Sequence, residues 1–181
     1  PPRSTLFPYT TLFRSKAVKE AYDSSGVVTN DRGITVWLKG NRVSRNQIMA
    51  IKEESVTDQK NSLTVCLDNI LRHAGITRNT EYDLAQGKTA IQILEENMTG
   101  VQVLDLSGCS LDAVLYYVNQ DIPVLAILED GEAVLVTGFN EFNVVIMEPS
   151  TGKLYKKGMN DATTWFAENG NHFISYMKID N

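Results

Sequence analysis

Apolar residues recur at helical spacing in the middle of the chain. Between Asn61 and Gly75, the apolar positions three or four residues apart are Leu63, Leu67, Ile70, Leu71 and Ala74. This spacing puts the apolar residues on one face of a helix, where they can pack against a core. Gly75 fits the glycine that often follows the last turn of a helix. The segment therefore predicts a buried helix that packs on a sheet.

The last third of the chain alternates short apolar runs with turn residues. Residues 124–128 are nearly all apolar and predict a central strand, with Pro123 at a first position where a missing N–H is tolerated. Asp130 and Gly131 predict a tight hairpin turn into a strand at 133–137. Later patterns predict strands at 144–147, 153–155 and 173–179 and a helix at 161–169.

Polar residues at fixed offsets predict further helices between these two regions. Thr89 followed three residues later by Gln92 is the pattern of a capping box that opens a helix at 90–97. Ser110 is a favoured N-cap for a helix at 111–119. Helices followed by an antiparallel meander predict an α+β fold, with the sheet packed on the Leu63 helix.

The first part of the chain differs from the rest. Residues 5–15 resemble the conceptual translation of a sequencing adapter, so we interpret 1–15 as an artefact and exclude it from fold reasoning. Residues 16–56 contain a predicted hairpin, 26–28 with 34–38, and are interpreted as a separate N-terminal segment or the end of an upstream domain. Residues 43–51 predict either a strand or a helix, and 57–181 form the main domain. The chain begins with Pro1, so we expect it to be a fragment.

Composition excludes several classes of function. The formal charge of −5, without clusters of Lys or Arg, argues against nucleic-acid and anionic-membrane binding. No apolar run approaches the length of a membrane span, and no cofactor motif is present. Cys66 and Cys109 allow either one disulfide or two buried thiols.

Four phrases in residues 60–179 resemble the C39-like branch of the papain-like cysteine peptidases. The helical phrase ending Leu71-Arg72-His73-Ala74-Gly75 resembles the family's nucleophile helix, and Ile122-Pro123-Val124 resembles the phrase before its hairpin. Glu132 to Gly138 resembles the family's His-x-Val-x-Val-x-Gly, and Glu148-Pro149 its Asp-Pro. The resemblance implies a papain-like, C39-type fold.

The positions that carry the family's chemistry hold other residues here. The resemblance puts the nucleophile position at Ser62, the histidine position at Glu132 and the aspartate position at Glu148. Gln59, three residues before Ser62, is the nearest glutamine to the oxyanion position. A carboxylate with a reference pKa of about 4.3 is a weak base toward a hydroxyl, and serine lacks the acidity of a thiol. We therefore expect no peptide hydrolysis by the family's route.

Each of these residues also has an ordinary interpretation. Ser62 is a favoured N-cap, and Glu132 follows a turn where a solvated carboxylate is normal. A sharper alternative is that Glu132 and Glu148 form an acidic pair that holds a hard cation such as calcium with carbonyl oxygens. Phe139 and Phe142 flank a turn and are predicted to form an exposed edge.

The resemblance leaves two functions open. The first is a degenerate C39-like domain that acts as a peptide-binding, protein-binding or structural module of a larger bacterial surface or exported protein. Its expected partner is a peptide or protein, which includes other domains of the same chain, and a peptide would pair with the edge of the 133–137 strand. The second is an active cysteine peptidase that uses Cys66 as nucleophile and His172 as its base. His73 lies seven residues beyond Cys66 on the same helix, which is about 10 Å along the axis, and is too far away to act as the base for Cys66.

Overall fold

The computed structural model describes residues 4–6, 11–24, 26–39, 47–49 and 51–179. The helices are α1 (Thr11–Ser24), α2 (Ser62–His73), α3 (Glu81–Ala85), α4 (Ala90–Asn97), α5 (Leu111–Asn119) and α6 (Met159–Glu168). The strands are β1 (Ser4–Leu6), β2 (Val27–Thr29), β3 (Thr35–Leu38), β4 (Gln47–Ile48), β5 (Val101–Asp105), β6 (Val124–Ile127), β7 (Ala133–Phe139), β8 (Asn143–Glu148), β9 (Lys153–Gly158) and β10 (His172–Lys178).

Seven strands form the main sheet. Its order is β5-β10-β6-β7-β8-β9, and β4 pairs with β7 beside this path. The predicted meander is confirmed because β6, β7, β8 and β9 pair antiparallel in chain order. The last strand, β10, returns to lie between β5 and β6 and is antiparallel to both. A smaller sheet has the order β1-β2-β3, and its β2–β3 hairpin is the one predicted.

Helix α2 packs on the middle of the main sheet, against β7 and β6, as its apolar face predicts. Val65, Leu67, Ile70 and Leu71 are buried, and Gly75 has the positive φ of 85° expected after the helix end. The capping box of Thr89 with Gln92 and the Ser110 cap are both confirmed. The α+β architecture is therefore the one that the patterns predict.

The N-terminal segment shares the hydrophobic core of the main domain. The indole N–H of Trp37 donates to the Ala113 carbonyl at 2.9 Å, and the Tyr117 hydroxyl donates to the Val36 carbonyl at 2.9 Å. Residues of α1 and β3 belong to the same buried cluster as those of α2 and β7. The division at residue 56 and the foreign origin of 1–15 stay predictions, since packing does not report where a segment came from.

Two sequence predictions about the sheet are wrong. Phe139 is 3% exposed because it ends a strand that is paired on both sides, whereas Phe142 in the following turn is 70% exposed as expected. The 133–137 strand is not an open edge for a peptide, since it pairs with β6 along 133–136 and with β8 from Leu135 onward. In the uncertain 43–51 segment, Gln47–Ile48 is a strand, and 43–46 and 50 lie outside the described residues.

Candidate functional site

Helix α2 begins beside the turn that joins β6 to β7. The N-cap is Asn61, whose side chain accepts a hydrogen bond from the Thr64 backbone N–H at 2.8 Å. The prediction that Ser62 caps the helix is therefore wrong. Ser62 is the first helical residue, only 2% exposed, and its hydroxyl oxygen accepts from the Ala133 backbone N–H at 2.9 Å.

The Ser62 bond completes the hydrogen bonding of β7. The Glu132 carbonyl accepts from the Leu128 N–H and therefore points toward β6. In a trans peptide the carbonyl and the following N–H point in opposite directions, so the Ala133 N–H points toward β8. β8 ends at Glu148 and is followed by buried Pro149, so the ladder offers Ala133 no partner. A buried N–H without an acceptor is costly, and Ser62 supplies the acceptor.

The beginning of α2 forms the floor of an open groove of about 600 Å³. Ser62, Gln59 and Glu132 line it together, so the structure brings three of the sequence-predicted positions to one place. One wall comes from the segment before α2, including Val56, and another from α3, including Leu84. We call this cavity the Ser62 groove.

Glu148 lies at the end of β8, outside the lining of the Ser62 groove. The Thr151 hydroxyl donates to a Glu148 carboxylate oxygen at 2.9 Å. Leu135 pairs with Met147 in the antiparallel β7–β8 ladder. Continuing this register by one residue sets Glu148 opposite Val134, which is two residues from Glu132 in the sequence. Among the described residues, no three His, Cys, Asp or Glu side chains are grouped to hold a metal. Any cation held by the two glutamates would draw its remaining ligands from carbonyl oxygens, and that site stays a prediction.

Cys66 lies one turn inside α2 and is fully buried. Burial raises the pKa of its thiol well above the ordinary value, and the carboxylates of Glu132 and Glu54 raise the pKa further. Each of these effects opposes the thiolate that a nucleophile requires. Cys109 is buried too; its pKa is raised to about 12 by burial, and its thiol donates to the Ser15 carbonyl at 3.6 Å. Both cysteines are free, so the disulfide alternative is not realised.

The sequence contains two histidines, and the structure places both away from the groove. His73 ends α2, and its Nε2 donates to the Asp121 carbonyl at 2.8 Å. His172 begins β10 opposite Ile127, with its ring over Gly170, where an added Cβ would lie 2.7 Å from Nε2. Within the described part of the chain, no contact joins His172 to Cys66.

Two buried carboxylates position the walls of the groove. Asp68 is 2% exposed, pairs with Lys60 Nζ at 2.7 Å and accepts at 2.9 Å from both the backbone N–H and the hydroxyl of Thr80. Because Lys60 precedes α2 and Thr80 precedes α3, this single carboxylate ties both walls to α2. Sequence reasoning missed it. The only signal was an acidic residue within an otherwise apolar helix.

Asp83 ties α3 to the segments that precede and follow it, through Arg78 and Lys88. Hydrogen bonds from Arg78 lower the pKa of the Asp83 carboxyl, burial opposes that effect, and Lys88 reinforces it. The guanidinium reaches one carboxylate oxygen at 2.9 Å, and the ammonium reaches the other at 3.2 Å. α3 has only five residues and no side-chain N-cap bond, so these contacts substitute for intrinsic helix stability.

The fold and the site together define a class. The chain has an α+β, papain-like fold of the C39 type. The β6–β7 hairpin faces the N-terminus of α2, since Ser62 contacts Ala133 there. No protein-family model matches the sequence, and no curated protein does.

Two solved structures are similar to this chain. One is described as a C39-like peptidase from Bacillus anthracis, with a TM-score of 0.59 and 16% identity over 78% of this chain and 100% of that one. The other is a double glycine motif protease from an AMS/PCAT transporter in complex with the leader peptide, with a TM-score of 0.43 and 12% identity over 74% of this chain and 97% of that one. The first likeness shows the fold. None of the helices among the described residues has the length and apolar character that a membrane crossing needs.

Proposed function

We propose that this chain is a C39-like domain without the family's catalytic chemistry and that it binds an extended peptide or protein segment in the Ser62 groove. The observation that carries this proposal is the Ser62 hydroxyl, which accepts from the Ala133 N–H at 2.9 Å. The resemblance puts the nucleophile position at this residue. Ser62 stands there with a carboxylate, Glu132, and without an imidazole. We place the domain in a larger bacterial surface or exported protein, as the resemblance implies.

The chemistry of these residues supports binding over hydrolysis. A hydroxyl needs a base to become a nucleophile, and the departing amine needs an acid. A carboxylate is a weak base toward a hydroxyl, and in its ionised form it holds no proton to donate. The Glu132 carboxylate also raises the pKa of the Cys66 thiol. The same carboxylate therefore disfavours the thiolate of the alternative nucleophile.

The shape of the groove supports a peptide ligand. The cavity of about 600 Å³ combines apolar surface from Val56, Leu84 and Ala85 with polar groups of Ser62 and Gln59 on its floor and wall. Most of the lining residues are polar, so the groove offers an extended segment hydrogen-bonding groups beside a smaller apolar surface. The ligand lies in the groove and not along β7, because that strand pairs with β6 and β8 and Ser62 already accepts from the Ala133 N–H.

Peptide capture tests the proposal directly. A randomised peptide library is selected on the folded domain, and the selected peptides are measured by fluorescence anisotropy against two variants. Ala85→Trp fills the groove from α3, and Ala167→Trp adds the same side chain at an exposed position of α6. We expect Ala85→Trp to abolish binding and Ala167→Trp to retain it. Failure to select any peptide, or equal binding by both variants, contradicts the proposal.

The enzyme alternative is tested by thiol labelling. If Cys66 is a buried thiol, iodoacetamide near neutral pH labels it slowly in the folded protein and faster after denaturation. Fast labelling of Cys66 that requires the fold, and peptide cleavage lost in His172→Ala, would establish the peptidase instead. Cys109→Ser serves as the background, so that one thiol is followed.

A further inference from the structure

The lining of the Ser62 groove is acidic. Asp58, Glu81 and Glu132 all line it. Within the described part of the chain, no lysine or arginine forms an ion pair with any of the three. The one lysine in the lining, Lys60, is already neutralised by Asp68 at 2.7 Å. The groove therefore carries a net negative charge that the protein leaves unbalanced.

A second observation concerns the floor of the groove. The Ser62 side chain is 2% exposed and accepts from Ala133 N–H, yet its own proton has no acceptor among the described residues. A buried hydroxyl proton of this kind is available to a ligand. Ser62 lines the groove, and an extended peptide carries backbone carbonyl oxygens that accept such a proton.

We infer that the Ser62 groove selects a peptide segment that carries lysine or arginine. One backbone carbonyl of the segment accepts from Ser62, and its cationic side chain lies among Asp58, Glu81 and Glu132. Acidic clefts with low-dielectric walls concentrate cationic ligands and reject anionic ones. This inference rests on the proposed peptide-binding function and adds the charge of the ligand.

Three synthetic peptides of one length test it. They share one backbone sequence and differ at two positions, which are both Lys, both Gln or both Glu. We expect the Lys peptide to bind most tightly and the Glu peptide most weakly by fluorescence anisotropy. Raising the salt from about 0.1 M to about 1 M shortens the Debye length from about 10 Å to about 3 Å and should weaken the Lys peptide selectively.

Neutral variants locate the effect. Glu132→Gln, Glu81→Gln and Asp58→Asn are each expected to weaken the Lys peptide about two- to five-fold and to leave the Gln peptide unchanged. Glu141→Gln removes an exposed carboxylate from the β7–β8 turn and is the matched control.

The results separate the two proposals. Equal affinity for the Lys and Glu peptides, with binding still lost in Ala85→Trp, overturns charge selection and leaves peptide binding standing. If Glu141→Gln reduces the preference for the Lys peptide as much as Glu132→Gln does, the preference comes from the overall charge of the protein. In that case charge selection by the groove is also overturned. If none of the three peptides binds, both proposals fail.

Discussion

Ser62→Ala tests how the α2 N-terminus is joined to the sheet. The substitution removes the hydroxyl oxygen that accepts from Ala133 N–H at 2.9 Å and changes little else, because alanine is a good helix former. Ala133 is 1% exposed, and its N–H points away from β6 toward the end of β8. The variant therefore leaves a buried donor without a protein acceptor.

The size of the effect follows from that unsatisfied donor. Leaving a buried N–H unpaired costs about 1–3 kcal/mol of unfolding free energy. For a domain of this size each kcal/mol corresponds to about 2–4 °C in Tm, so a central loss of about 2 kcal/mol predicts a fall of about 4–8 °C. Ser62→Cys should also destabilise, since a sulfur is a weak acceptor.

Two measurements check this prediction. Urea denaturation of wild type and Ser62→Ala gives the change in unfolding free energy. Amide hydrogen exchange followed by NMR reports the Ala133 N–H itself, which should lose about a factor of ten in protection for each 1.4 kcal/mol of local stability.

A control variant separates this bond from an ordinary helix cap. Ser110→Ala removes a hydroxyl that accepts from Ala113 N–H at 3.2 Å and should cost about 1 kcal/mol while leaving Ala133 exchange unchanged. If Ser62→Ala shifts neither the unfolding free energy nor Ala133 exchange beyond error, Ser62 does not complete the β7 hydrogen bonding, and the reasoning is refuted.

Three further predictions concern Asp68, Asp83 and Gly152. Asp68→Asn should cost about 2–3 kcal/mol in urea denaturation, because it removes the charge that faces Lys60 at 2.7 Å. The pKa of Asp83 is lower in the folded than in the unfolded chain, so its stabilisation is complete above about pH 4 and is lost as the pH falls through the folded pKa. The unfolding free energy measured across that range should therefore fall less steeply in Asp83→Asn. Gly152→Ala should cost about 2 kcal/mol, since φ is +67° there and a Cβ would overlap the Ser55 hydroxyl.

Each of the three has its own check. Lys60→Met should cost little more in the Asp68→Asn background, and additive costs would show that the pair is not coupled. An acid transition that is the same in wild type and Asp83→Asn would contradict the linkage. Ser55→Ala should partly rescue Gly152→Ala by removing the overlapped oxygen, leaving the cost of the positive φ.

The sequence by itself determined the elements whose signals are local. Periodicity, capping and tight turns involve residues within a few positions of one another. For this reason the sequence could predict helix α2, the Thr89 and Ser110 caps and the Asp130-Gly131 hairpin. The resemblance added the fold and the expected nucleophile and histidine positions, at Ser62 and Glu132. Local patterns also mislead, since they predict Ser62 as the helix cap and the structure has Asn61 there.

Only the tertiary structure decided how the site is assembled. It placed β10 between β5 and β6, paired β7 on both sides, and brought Ser62 to Ala133 across 71 residues of sequence. It likewise buried Asp68 against Lys60 and, among the residues that the structure describes, left Asp58, Glu81 and Glu132 of the groove without an ion pair. Such contacts depend on strand register and on which helix covers which strand. Those choices are fixed by burial of the whole core, and no short stretch of sequence encodes them.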